Sequence, residues 1–121
     1  MNRCRTFVAQ IWCGLRISYR DESATYEEVQ RIIQKYVDEI GWCVTIRKVE
    51  YIYKEGSELG VVVGIINYPR FPTTRRKLRK QTLELAQRMK DGLYQNRLSV
   101  VFPRKTIMLG DIKDRTSHAN R

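Results

Sequence analysis

Histidine is almost missing from this 121-residue chain: the one copy, His118, falls in a polar C-terminal stretch. Acid–base or nucleophilic chemistry built on imidazole therefore has no residue in the patterned part of the sequence. Cysteine is scarce and odd in number. Cys4, Cys13 and Cys43 lie far apart and form no CxxC pair, which excludes a disulfide framework and a zinc site and leaves free thiols of a reducing compartment. No apolar run nears the roughly 20 residues that span a bilayer. The basic N-terminus is followed by alternating rather than continuous apolar residues, so it lacks the form of a secretory leader. Walker and GxGxxG loops, nucleophile elbows and clustered carboxylates are also absent. These absences lead to the expectation of a non-enzymatic, cytoplasmic protein without cofactor or metal.

What is abundant is positive charge, a net +10. Its placement is uneven. Residues 1–20 hold four cations and no acid, residues 21–58 hold nine acids against five bases, and residues 69–90 hold eight cations against Glu84 alone. Arg75, Arg76, Lys77, Arg79 and Lys80 crowd the start of one expected helix, where they repel one another and the positive end of the helix dipole. A nearby anion would relieve that repulsion.

The patterning predicts seven elements. Residues 5–18 alternate with period two, placing Phe7, Ala9, Ile11, Cys13, Leu15 and Ile17 on one face of a strand. Val8 and Trp12 on the other face imply a second covering layer. Thr25 to Glu28 has capping-box spacing, and apolar residues then recur at three- and four-residue steps to Ile40, with Gly41 as the terminator: a helix over 26–40. Residues 42–54 read as a strand whose apolar parity switches near Arg47 and Lys48, suggesting a bulge or bend. Leu59 to Tyr68 reads as a central strand apolar on both faces. After a two-proline break comes a helix over about 74–91 capped by Thr73 or Thr74 and ended by Gly92, then two short strands, 97–102 and 105–109, joined at Pro103 and Arg104. This order predicts an α+β two-layer sandwich, an antiparallel sheet with two helices on one face, ferredoxin-like with an added C-terminal hairpin. Residues 1–110 form the single domain, and 111–121 are an expected disordered tail.

Candidate binding groups gather around Asn67-Tyr68-Pro69-Arg70-Phe71-Pro72, where an aromatic ring and a guanidinium can sandwich a base and Asn67 can bond its edge. Arg75 and Arg76 follow at the helix start, and Phe102-Pro103-Arg104 repeats the aromatic–proline–arginine motif. Arg16 and Arg20, on or just after the first strand, are candidates for a further anion contact. The expected ligand-binding set is Asn67, Arg70, Phe71, Arg75, Arg76, Arg104, Arg16 and Arg20.

The run Tyr51-Ile52-Tyr53-Lys54 through Gly64-Ile65-Ile66-Asn67-Tyr68-Pro69-Arg70-Phe71-Pro72, followed by a helix and Val101-Phe102-Pro103, resembles the phage Thoeris anti-defence sponge family. That resemblance implies sequestration, without cleavage, of cyclic ADP-ribose isomers or cyclic oligonucleotides, and Val8 and Trp12 on the outer strand face with a central strand apolar on both sides predict a homo-oligomer, a dimer or larger even assembly. Charge alone supports the alternative of a basic nucleic-acid-binding or nucleoprotein-inhibiting module.

Overall fold

A computed structural model describes residues 1–17 and 22–110. Seven elements follow in chain order: strand β1 Val8–Gly14, helix α1 Tyr26–Ile40, strands β2 Thr45–Tyr53 and β3 Gly56–Ile66, helix α2 Arg75–Gly92, and strands β4 Arg97–Val101 and β5 Thr106–Gly110. They form one antiparallel sheet in the order β2-β3-β1-β4-β5. The first four strands follow the ferredoxin-like order and β5 extends the β4 edge, as the sequence predicts.

Both helices lie on one face. Alternate residues of the central strands (Ala9, Ile11, Cys13; Val61, Val63, Ile65) point into a core closed by Val29, Ile33 and Tyr36 of α1 and Leu78, Leu85 and Met89 of α2. Thr25 Oγ1 accepts the Glu28 N–H at 3.1 Å, and Gly41, at φ 68°, supplies the left-handed C-terminal residue. In α2 the cap is Thr74, which accepts the Lys77 N–H at 3.1 Å. Gly92 is the last helical residue rather than the stop, and Leu93 buries itself beyond it. No helix among the described residues is long and apolar enough to cross a membrane.

Two expectations need correcting. The first strand is shorter than its alternation: the ladder ends at Gly14, the Leu15 N–H still donates to the Leu59 carbonyl at 3.0 Å, and Arg16 then pairs with Ser23 in an isolated antiparallel bridge. The expected bulge in β2 does not form: pairing with β3 runs unbroken from Thr45–Gly64 to Tyr53–Gly56. The parity switch has another cause. Ile46 faces the helices, whereas Val49, Tyr51 and Tyr53 stand on the opposite, outer face of an ordinary strand. The apolar residues change sides because that outer face has something to build. Arg20 and the expected disordered tail lie outside the described residues.

Candidate functional site

A hollow of about 600 Å³ lies on the outer face of the sheet. Antiparallel pairing puts directly opposed residues on the same face. One row across the sheet therefore reads Arg47, Val62, Trp12, Ser99, Met108. The next rows bring Tyr51 against Glu58, and Gly60 between Gly14 and Val49. Trp12 and Tyr51 meet edge to face with ring centroids 6.4 Å apart, and the indole N–H donates to Gln10 Oε1 at 3.0 Å. Aromatic walls thus come from β1 and β2, while Arg97, Ser99 and Met108 close the side toward β4 and β5.

Glycine makes this arrangement possible. A Cβ on Gly60 would collide with the Tyr51 ring edge and lie 2.8 Å from the Cys13 carbonyl oxygen; a Cβ on Gly14 would lie 2.8 Å from Glu58 Oε2. Bare backbone lets the Tyr51 ring and the Glu58 carboxylate rest directly on the central strands.

Glu58 is the main electrostatic feature. Its Oε2 accepts the Arg16 backbone N–H at 3.1 Å, and among the described residues it forms no ion pair. The Arg16 guanidinium is engaged elsewhere, donating to the Ser57 carbonyl at 3.1 Å and the Tyr53 hydroxyl at 3.4 Å. Burial, then the nearby Cys13 and Glu58, pushes the Tyr51 hydroxyl up to about 12, so it stays a neutral hydrogen-bonding group at physiological pH. Cys13 beneath, in the core, is likewise raised to about 12 by burial and by Glu58, and is an inert thiol. An aromatic recess with one carboxylate not matched by a cation suits a ligand carrying positive charge.

The expected site residues divide between the two ends of the sheet. Arg16 alone lines the outer-face hollow. Asn67, Arg70, Phe71, Arg75, Arg76 and Arg104 lie at the other end, where β3 and β4 finish. Asn67 there is a buried structural clamp: its Nδ2 donates to the Arg5 and Thr73 carbonyls at 2.8 and 3.2 Å, and its Oδ1 accepts the Thr73 N–H at 3.0 Å. It has no amide group left to read a base edge. Arg70 lies over the exposed Phe71 ring, 5.4 Å from its centroid. Arg75 and Arg76 are exposed, and Arg104 projects from the turn in which the Phe102 N–H bonds the Lys105 carbonyl.

Sequence reading missed Trp12, Tyr51, Tyr53 and Glu58 as site residues. The signal was available in the switch of apolar parity in β2 opposite a β3 segment that holds both Gly56 and Gly60.

No family model matches the sequence, and no curated protein does either. Solved structures do share the fold. A phage SAM lyase in its apo state superposes with TM-score 0.72 at 14% identity, covering 88% of this chain and 90% of that one. A phage SAM lyase in complex with S-methyl-5'-thioadenosine gives TM-score 0.65 at 13% identity over the same shares. Phage proteins are thus among its structural neighbours, although these are lyases and not the sponge family that the sequence resembles. The expectation of a non-catalytic protein is overturned by this finding. The fold is one on which enzymes are built, and a missing histidine excludes only chemistry that needs one.

Proposed function

We propose that this protein is a lyase acting on S-adenosylmethionine (SAM) in the cytoplasm, with the outer-face hollow as its active site. The observation that carries this reading is the Glu58 carboxylate, without a cation partner among the described residues, set beside Trp12, Tyr51 and Tyr53. SAM presents a sulfonium, an ammonium, a carboxylate and an adenine. The aromatic rings and Glu58 suit the first two, Arg16 and Arg97 suit the carboxylate, and the adenine finds rings to stack on. About 600 Å³ is ample for such a molecule.

Release of S-methyl-5'-thioadenosine breaks the bond between sulfur and the γ-carbon of the amino-acid chain, and both electrons leave with sulfur as a neutral thioether. The γ-carbon can then be captured by the substrate's own carboxylate, which forms the C–O bond of a lactone and requires no proton transfer. Alternatively the β-carbon loses a proton and an alkene forms, which requires a base. The first route matches a hollow with no histidine. The protein's part is then to fold the substrate into the attacking geometry, to lower the water content around it, and to hold Glu58 where the sulfonium sits.

The test is to incubate the purified protein with SAM and quantify S-methyl-5'-thioadenosine by chromatography. Conversion by the parent protein and a loss of at least about a hundredfold in Glu58→Gln, with unchanged circular dichroism, are expected. Recovery of intact SAM from a folded sample overturns the proposal.

A further inference from the structure

A SAM-like substrate is itself a net cation at neutral pH, so a protein surface of net charge +10 does not serve it. The excess lies at the other end of the sheet, beside a second hollow of about 430 Å³ between the end of α1, the segment after β3, and α2. Its walls include Trp42, Tyr68 and Phe71, with Lys77 at its border. Trp42 is fixed from behind by an edge-on contact with Tyr36, centroids 6.0 Å apart. Tyr68, its hydroxyl held protonated by burial and by the Cys43 thiol next to it, forms a neutral wall. Phe71 is 62% exposed, which is uncommon for a large apolar ring that lines a hollow, and Arg70 extends its face. Arg70 lies over Phe71 and Lys77 borders the hollow, while Arg76 and Lys80 stand on the same first turns of α2; none of the four is in an ion pair among the described residues. Helical spacing sets Arg76 and Lys80 one turn apart on the solvent side, with Lys77 between them and the hollow.

Aromatic surface open to solvent beside cations without partners is the chemistry of single-stranded nucleic-acid binding: rings stack unpaired bases and cations follow the backbone. We infer that this end of the molecule binds single-stranded nucleic acid, with one base in the Trp42–Tyr68–Phe71 hollow and phosphates along Arg70, Arg76, Lys77 and Lys80. A duplex keeps its bases stacked inside and has none to offer the hollow. This site is independent of the proposed SAM chemistry, shares no residue with it, and stands or falls separately.

Fluorescence anisotropy of a labelled ten-nucleotide single strand, titrated with the full-length protein, tests it. Four phosphate contacts imply an affinity falling roughly fiftyfold between 50 and 200 mM salt. Phe71→Ala removes an exposed ring, leaves the core intact, and is expected to weaken single-strand binding about tenfold without changing the salt slope. Arg76→Gln with Lys80→Gln is expected to flatten the slope. The matching duplex should bind more weakly and ignore Phe71→Ala. The inference is overturned if the single strand fails to bind at 50 mM salt, if single strand and duplex bind alike in parent and Phe71→Ala, or if vesicles containing an anionic phospholipid bind while the oligonucleotide does not. Circular dichroism of each variant establishes that it is folded, and S-methyl-5'-thioadenosine binding at the far end should be unaltered.

Discussion

Replacing Gly60 by alanine tests how the outer-face site is built. Gly60 lies in β3 between Gly14 of β1 and Val49 of β2, and an added Cβ meets two obstacles. One is the Tyr51 ring edge, which can swing away. The other is the Cys13 carbonyl oxygen at 2.8 Å, which belongs to the β1 backbone and cannot withdraw without disturbing the β1–β3 ladder. Overpacking of this kind costs about 1–3 kcal/mol, or about 4–12 °C of melting temperature for a domain of this size. The displaced ring should also cost the site roughly two- to tenfold in affinity for S-methyl-5'-thioadenosine, the worth of one aromatic contact. Calorimetric melting and isothermal titration read the two effects. Tyr51→Ala added to Gly60→Ala should recover part of the stability, since only the carbonyl obstacle then remains. Gly41→Ala is the control. Its φ of 68° strains any side chain, yet nothing lies within 4 Å, so it should lose about 1 kcal/mol and leave ligand affinity unchanged. If Gly60→Ala melts with the parent and binds equally well, the ring does not rest on the strand and the described site geometry is wrong.

Asn67→Ala breaks three part-buried hydrogen bonds to backbone and should destabilise by about 2–4 kcal/mol while leaving outer-face affinity intact; a lowered affinity in a stable variant would show that it contacts ligand instead. Cys13 and Tyr51 both hold their protons more tightly when folded, moving from 9.0 and 10.0 to about 12. The unfolded chain therefore loses those protons first, so stability is complete below pH 9 and falls from pH 9 toward 12; urea midpoints that hold constant between pH 8 and 11 would contradict this. The outer face leaves Val8 and Ile66 47% and 40% exposed at the end where β3 finishes and Met108 36% exposed at the hollow, and a second copy is expected to cover this face as a dimer or larger even assembly. A light-scattering mass near 14.4 kDa at micromolar concentration would refute that.

The helices were legible in the sequence because their signals are local. Thr25 and Thr74 cap the turns that they precede, and the apolar stripes of α1 and α2 recur at steps that only a helix brings to one side. The sheet order followed from the alternation of strands and helices with little freedom left. Alternation in a single strand is less informative. It separates two faces without saying which one a helix layer covers, so Tyr51 and Tyr53, on the parity opposite to Ile46, read as a bulge. Only the register with β3, which sets Tyr51 against Glu58 and Gly60 beside its ring, shows a straight strand with a furnished outer face. Trp12 carries the same signal on β1, and the register adds that it walls the hollow beside Tyr51.

Charge drew the sequence reading to the other end of the sheet for a related reason. Density of cations marks where an anion is welcome, and the densest cations lie around Arg70 to Lys80. The proposed site for a cationic substrate leaves a different trace: an acid in no ion pair among the described residues, set among aromatic rings. Glu58 is such an acid, and the stretch 21–58 that ends on it is the only net acidic part of the patterned chain. That stretch supplies Tyr51, Tyr53 and Glu58 to one hollow and Trp42 to the other, where the basic stretch after it adds Phe71 and Lys77. On the proposed readings the two hollows therefore take different ligands, a SAM-like cation beside Glu58 and phosphate beside Lys77.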